Sequence, residues 1–293
     1  MSFTRTNSGL SNLALFHGVD LIVFTEGGED SYSYEDVLAG KFNDRSVDIK
    51  FWSGVFSKHN FRKTVEFRAL GSKTSSKAIC ELLESNSINN IAVALDSDLD
   101  DIFGAKFTSP CILYTRGYSW ENDVYHPQLV KEQIESLIFS AKLPDNYISI
   151  IDESYRYFNW YASRLLKLEL MFKKAGSKFI TDCNGERFIN GKSEPKLKID
   201  QIRNLLHQRK SSLVKPISLN GVGNGYCGIR YCYGKLREAL ALANITYIVG
   251  SLEKQKSLPK DLMVTAMLDR YQKREGHLED SYYSNIIGKL AAA

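Results

Sequence analysis

Residues Ile91-Ala92-Val93-Ala94-Leu95 form an unbroken apolar run, and Asp96-Ser97-Asp98-Leu99-Asp100-Asp101 follow it without a spacer. An apolar run too short for a helix and without alternation predicts a strand covered on both faces. Such a strand belongs inside a parallel sheet with helices on either side, and the neighbouring segments fit that demand. Leu21-Ile22-Val23-Phe24 predicts a second buried strand, stopped by Glu26-Gly27-Gly28. Val47 to Trp52 alternates and predicts another strand, as does Val65 to Leu70, closed by Gly71. Ser72 to Glu84 predicts a helix with Ala78, Ile79, Leu82 and Leu83 on one face. Cys111 to Tyr114 predicts a short strand, and Pro127 to Leu143 a helix with proline in its first turn. Strands alternating with helices give an α/β fold class, a mostly parallel sheet flanked by helices.

Past about residue 145 the pattern changes. Ser154 to Lys174 predicts a long amphipathic helix rich in Tyr, Phe, Trp and Leu, ended at Gly176. Residues 177–197 are polar with Gly and Pro and predict a hairpin or exposed loop. Ile199 to Lys210, Lys235 to Ala243 and Leu262 to Lys273 predict helices. The expected organisation is an α/β domain over 1–144 and a mainly helical, basic region over 145–288 for dimerisation, partner or nucleic-acid contact. Lys289-Leu290-Ala291-Ala292-Ala293 reads as a cloning scar outside the fold.

Charge divides along the same line. Residues 1–150 carry 14 Lys/Arg against 20 Asp/Glu, whereas 151–293 carry 24 against 14. An acidic half joined to a basic half suits a chain in which one part holds cations and the other meets a polyanion; a solvated basic surface is the plain alternative. The cysteines at 80, 111, 183, 227 and 232 form no CxxC pair, so neither a disulfide framework nor a zinc site is expected. With no long apolar stretch and no cleavage-site pattern near the N-terminus, a cytoplasmic protein with reduced thiols and no membrane contact is expected.

Ligands of open parallel sheets sit outside the carboxyl ends of the strands. Acidic groups fall there three times: Glu26 after the first strand, Asp96, Asp98, Asp100 and Asp101 after the apolar run, and Glu121-Asn122-Asp123 after the 111–114 strand. Carboxylates converging at one edge repel unless a cation neutralises them, and hard oxygen ligands suit Mg²⁺ or Mn²⁺. A pair of such ions can activate the attacking oxygen and stabilise the leaving one in phosphoryl transfer. The alternative for DSDLDD is an acidic turn capping a helix at Asp101-Ile102-Phe103.

A strand ending in Glu-Gly-Gly, then an apolar strand ending in DxD, resembles the TOPRIM fold of topoisomerases, primases and OLD-family nucleases over residues 18–130. The resemblance assigns acid/base work to Glu26 and metal binding to Asp96 and Asp98. Glu26-Gly27-Gly28-Glu29-Asp30, Gly71-Ser72-Lys73 opening a helix, LDSDLDD, YTRGYSWENDVY and Tyr233-Gly234-Lys235 together resemble the TOPRIM nuclease effectors of bacterial phage-defence systems of the PARIS type. That resemblance implies a toxic, Mg²⁺-dependent endoribonuclease for abortive infection, held inactive by an ABC-type ATPase partner and cleaving host tRNA on release. It adds Glu121 and Asp123 as further metal ligands beside Glu26, Asp96 and Asp98, and places Glu121 in the catalytic set with those three. Leu99-Asp100-Asp101 departs from the broader TOPRIM pattern of a clean helix start, which leaves Asp100 as an optional ligand.

Lys73, Lys77 and Arg116 lie near the expected edge, and Lys73 is kept as a nucleic-acid-binding residue. Gly223 to Gly228 satisfies GxGxxG, but no strand precedes it and a loop is the better reading. The five histidines, at 17, 59, 126, 207 and 277, have no ligand spacing; His59 and His126 are at most acid/base groups. Tyr155, Tyr157, Phe158, Trp160 and Tyr161 fit a core or partner interface better than base stacking, and the basic segments Lys192–Lys198 and Arg203–Lys215 could follow an RNA backbone. Three functions result: a tRNA-cutting effector, active as a homodimer; an OLD-like DNA nuclease; or a non-catalytic TOPRIM subunit of an ATPase assembly.

Overall fold

The computed structural model describes residues 7–71, 73–181, 185–191, 193–211, 213, 225–253, 258–276 and 280–293. Two compact units divide the chain: Met1–Arg116 with Gln272–Ala293, and Gly117–Tyr271. The division does not follow the expected boundary at residue 144, because the chain leaves the sheet unit directly after the last strand and returns to it at the end.

The first unit opens with two short helices, α1 (Asn7–Ser11) and α2 (Leu13–His17), ahead of strand β1 (Leu21–Thr25). Helices α3 (Tyr34–Leu38) and α4 (Val47–Lys58) lead to β2 (Val65–Ala69), then α5 (Lys73–Glu84), β3 (Ile91–Leu95), α6 (Asp100–Phe103) and β4 (Ile112–Tyr114). The strands form one parallel sheet in the order β2-β1-β3-β4. Ile22 stands opposite Ile91 and Thr25 opposite Ala94, so β1 and β3 end side by side. Every residue of both strands is buried, as the apolar runs require. Leu10, Leu13, Val37, Ile79, Leu83 and Ile88 pack on the sheet through Ile22, Phe24, Ile91 and Val93.

One expected strand is a helix. Val47 to Trp52 opens α4, where the Ser46 hydroxyl accepts the Ile49 amide and Phe51, Trp52, Val55 and Phe56 form the buried face. Burial recurs there with helical period, and the cap fixes the start.

In the second unit, α7 (Glu121–Val124) and α8 (Pro127–Glu135) precede α9 (Asp145–Lys174), which begins well before the expected Ser154. Helix α8 stops short of the expected Leu143, at Glu135. A 3₁₀ turn at Glu186–Phe188 and a minimal antiparallel pair, β5 (Ile189–Asn190) and β6 (Lys196–Leu197), stand in the 177–197 segment, of which 182–184 and 192 lie outside the described residues. Then come α10 (Ile199–Ser211), α11 (Gly228–Tyr231), α12 (Gly234–Glu253) and α13 (Lys260–Lys273). Helix α12 is the hub of this unit: Leu236, Leu240, Ala241, Ile245, Ile248 and Val249 are buried, and so are Arg237, Glu238 and Asn244. Asn244 donates to the Leu240 carbonyl at 2.9 Å and to the Ser154 hydroxyl at 3.0 Å, which satisfies its buried amide.

The last helix, α14 (Asp280–Ala292), belongs to the first unit. Tyr283 packs edge-on against Phe51 and Trp52, the Tyr282 hydroxyl donates to the Tyr114 carbonyl at 3.0 Å, and Lys58 pairs with Asp280 at 2.8 Å. Lys289 to Ala292, expected outside the fold, continue this helix, and Leu290 is only 3% exposed. Among the described residues no helix is long and apolar enough to cross a membrane.

Candidate active site

Acidic residues of the first unit follow directly on the carboxyl ends of β1 and β3. Glu26 is the first residue past β1 and Asp96 the first past β3. After Asp96 the chain is pinned to the end of β4: the Ser97 amide donates to Thr115 Oγ1 at 3.0 Å, and the Ser97 hydroxyl donates to the Thr115 carbonyl. Asp98 takes a left-handed backbone, φ 48°, a conformation aspartate tolerates better than most residues. This turn starts α6, so the same acidic run supplies a turn, a helix start and the candidate ligands.

Lys73 enters from the first turn of α5. Its Nζ lies 2.7 Å from Asp98 Oδ2 and 2.8 Å from Asp100 Oδ2, so one ammonium bridges two carboxylates. Glu26 Oε1 is buried without a hydrogen-bond partner. Burial pushes the Glu26 carboxyl up to about 8; Lys73 opposes that rise, and Asp98, Asp48 and Asp100 add to it. Lys73 is raised in turn, its desolvation outweighed by Asp98, Asp100 and Glu26.

Asp48 was not anticipated. It sits in the first turn of α4, and its Oδ2 would lie 2.2 Å from a Cβ at Gly27. Gly28, at φ +144°, leaves similar room for the Asn43 amide. The Glu-Gly-Gly sequence thus does more than end β1, because its bare backbone admits Asp48 and Asn43 beside Glu26. Asn43 in turn holds the loop, donating to the Asp30 and Ala69 carbonyls at 2.8 and 3.1 Å. Gly71, at φ +78°, meets the Asp30 carbonyl so closely that a Cβ would stand 1.8 Å from it, which fixes the turn ahead of Lys73. The signal for Asp48 was the Ser46-x-x-Ile49 start of a helix, masked by the alternation that follows.

Glu121 and Asp123 belong to the second unit. Both are buried in α7. Glu121 Oε1 pairs with Lys235 at 2.6 Å, and Lys235 also reaches Glu238 at 2.9 Å. Lys260 continues the chain of charges, 3.1 Å from Glu238 and 3.2 Å from Glu186. Gly234 makes this possible, since a Cβ there would stand 2.0 Å from Ser119 Oγ and 2.9 Å from Glu121 Oε2. The structure therefore brings together Glu26, Asp98, Asp100 and Lys73, and holds Glu121 in a separate ion network.

Among the described residues no three His, Cys, Asp or Glu side chains are drawn together tightly enough to form a ready-made metal site. In kind the donors do fit a hard cation: carboxylate oxygens, an unpartnered buried Glu26 Oε1, and one ammonium serving several acids.

Of the other candidates, Lys77 pairs loosely with Glu81 and the Arg116 amide donates to the Tyr283 hydroxyl. His126 caps α8, its Nδ1 accepting from the Gln128 amide, and burial lowers His59. Cys80, Cys111, Cys227 and Cys232 are free thiols, while Cys183 and His277 lie outside the described residues. In the GxGxxG stretch Gly223 and Asn224 are outside them too; Gly228 admits α11 onto α9, where a Cβ would stand 2.4 Å from the Ser163 amide nitrogen. No protein-family model matches the chain, and no curated protein matches it.

Proposed function

We propose that the chain is a Mg²⁺- or Mn²⁺-dependent TOPRIM-type phosphodiesterase with its centre at the carboxyl ends of β1 and β3. One observation carries the reading: Asp98 and Asp100 share the Lys73 ammonium at the edge where parallel sheets bind ligands, close enough to Glu26 to act on its charge, and Glu26 Oε1 is buried with no hydrogen-bond partner. Asp96 and Asp98 would hold the cation, with Asp100 as an additional donor. A bound divalent cation would supply charge neutralisation and an activated water.

The chain's own groups do the rest. Glu26 is the acid/base residue: burial raises its carboxyl in the metal-free chain, and from the end of β1 it can pass a proton to or from the reacting oxygens. Lys73 supplies a point charge for the phosphate, since three ammonium protons suit phosphate oxygens as well as carboxylates. Within this reading the chain is the toxic effector of an anti-phage defence system, cutting host tRNA as a homodimer after release from an ABC-type ATPase. That finer part rests on the sequence resemblance. A competing reading, a non-catalytic subunit, has the double ion pair of Lys73 as its permanent counter-charge.

The test incubates the protein, with and without its ATPase partner, with bulk tRNA and plasmid DNA in Mg²⁺ or EDTA. Metal-dependent cleavage of tRNA is expected, falling at least about 100-fold in Glu26→Gln. Cleavage of DNA alone selects the OLD-like alternative. No cleavage under any condition from folded protein favours the non-catalytic subunit and overturns the proposal.

A further inference from the structure

Helix α9 carries two stripes. Ile151, Ser154, Tyr155, Phe158, Ala162, Leu165, Leu166 and Leu170 face the interior. Glu153, Arg156, Tyr157 and Trp160 recur at the same helical spacing on the other side, where they line a cleft of about 470 Å³ with Lys196 of β6. That volume lies in the range of small-molecule pockets.

The aromatic run therefore splits, with Tyr155 and Phe158 in the core and Trp160 58% exposed. An indole this exposed loses the burial that usually accounts for tryptophan. Its neighbours are organised around it: the Arg164 guanidinium stacks 3.9 Å from the ring centroid, Tyr161 packs edge-on at 4.6 Å, and Tyr157 lies 5.0 Å from Tyr161. Arg156 and Arg164 are both exposed. Flat aromatic faces interleaved with arginines are what an unpaired base and its phosphate require. Glu153 discriminates further. In the same cleft it would repel a phosphate, yet it can accept a hydrogen bond from a ribose 2′-hydroxyl, a donor that deoxyribose lacks.

We infer that this face of α9 is a docking surface for single-stranded RNA, with an unpaired base stacked at Trp160, its phosphates on Arg156, Arg164 and Lys196, and its ribose hydroxyl on Glu153. The inference extends the phosphodiesterase reading to its substrate, but binding is measured without cleavage and fails or holds independently of it.

Trp160 provides its own reporter. The chain has three tryptophans, and Trp52 and Trp120 are 2% and 3% exposed, so a stacking base reaches Trp160 alone among them. The full chain is titrated with a short oligouridylate in EDTA, following tryptophan fluorescence, and fluorescence anisotropy of a labelled oligomer measures affinity. Quenching is expected for the wild type. Trp160→Ala should weaken binding by about 5- to 150-fold, while Trp160→Phe, which keeps a stacking face, loses much less. Glu153→Gln should leave RNA binding within a few-fold while a matched DNA oligomer gains on it. The inference is overturned by unquenched fluorescence, by Trp160→Ala binding as tightly as wild type, or by wild-type protein holding matched DNA as tightly as RNA. Circular dichroism melts of each variant establish that the fold is kept, which the exposed position of Trp160 makes the expected result.

Discussion

Both units place a lysine between carboxylates, and they differ in how the charges balance. In the second unit Glu121, Glu238 and Glu186 are served by Lys235 and Lys260, and each carboxylate touches a cation. Glu121 and Glu238 are 2% and 3% exposed, while Lys235, Lys260 and Glu186 reach toward solvent, so charges of alternating sign run from buried acids to the surface. In the first unit Lys73 serves Asp98 and Asp100 directly and is the cation that opposes the raised carboxyl of Glu26, while Asp48, Asp98 and Asp100 push that carboxyl up. A carboxylate oxygen lacks a hydrogen-bond partner in each place, Glu121 Oε2 and Glu26 Oε1, so orphaned atoms do not distinguish them. The acids gathered on each lysine do. In the second unit the carboxylates are shared between two lysines and hold helices together, whereas at the strand edge Lys73 alone bridges Asp98 and Asp100 and opposes the raised Glu26, an arrangement of like charges that a cation would relieve.

The sharpest way to break this comparison is Lys235→Ala. It takes the paired ammonium from buried Glu121, while Glu238 keeps Lys260, and a loss of about 3 kcal/mol is expected, because stranding a buried charge costs more than the pair contributes. Urea denaturation at neutral pH measures it. A change below about 0.5 kcal/mol, the range of ordinary surface substitutions, would show the network to be solvated and the contrast empty.

Glu169 provides a control carboxylate, buried in the second unit but satisfied by backbone. It accepts the Ile180 amide at 2.9 Å and the Phe179 amide at 3.3 Å. Burial still raises it to about 7 from 4.5, against those two amides and the attraction of Lys178 and Arg209. The folded chain therefore keeps a proton that the unfolded chain releases, and stability falls as pH rises from about 4.5 to about 7. Glu169→Gln does not titrate. The stability of wild type relative to this variant should thus drop by about 1–2 kcal/mol between pH 5 and 8, a discounted share of the shift. Equal melting profiles across that window would mean the carboxylate is as well solvated folded as unfolded.

How much of this could be read in advance depends on which residues set each feature. Strands β1, β3 and β4 were legible as short apolar runs, and β2 as a β-branched and aromatic segment closed by Gly71. Helix α4 was not, since Val47 to Trp52 alternates over a window too short to separate a period of two from one of 3.6, and the Ser46 cap went unread. With that helix misread, Asp48 had no visible reason to approach Gly27. Glu26, Asp98 and Lys73 were legible at strand ends and a helix start, whereas the pairing of Glu121 with Lys235 joins segments far apart in sequence. The exposure of Trp160 was hidden because Tyr155 to Tyr161 supplies aromatics to both faces of one helix. Sequence spacing gives the stripes, and only packing decides which stripe is inside.

The smallest expected effect bears most directly on the contrast. Lys73 is 39% exposed at the side chain and its partners are partly solvated, so Lys73→Ala in metal-free buffer should cost no more than about 1 kcal/mol. What should change is the response to metal. With the ammonium gone, Asp98 and Asp100 lose the charge that competes for them, and Glu26 loses the lysine that opposes its rise. A cation then neutralises more repulsion, and because it binds the folded chain it raises the melting temperature by mass action. Thermal melts in Mn²⁺ against EDTA should therefore show a larger upward shift for Lys73→Ala than for wild type, and no such gain for Lys235→Ala. If both lysine variants respond alike, the acids of the first unit are no better placed for a cation than those of the second and the two networks are of one kind. If Lys73→Ala gains and Lys235→Ala does not, the edge of β1 and β3 is where a divalent cation relieves repulsion.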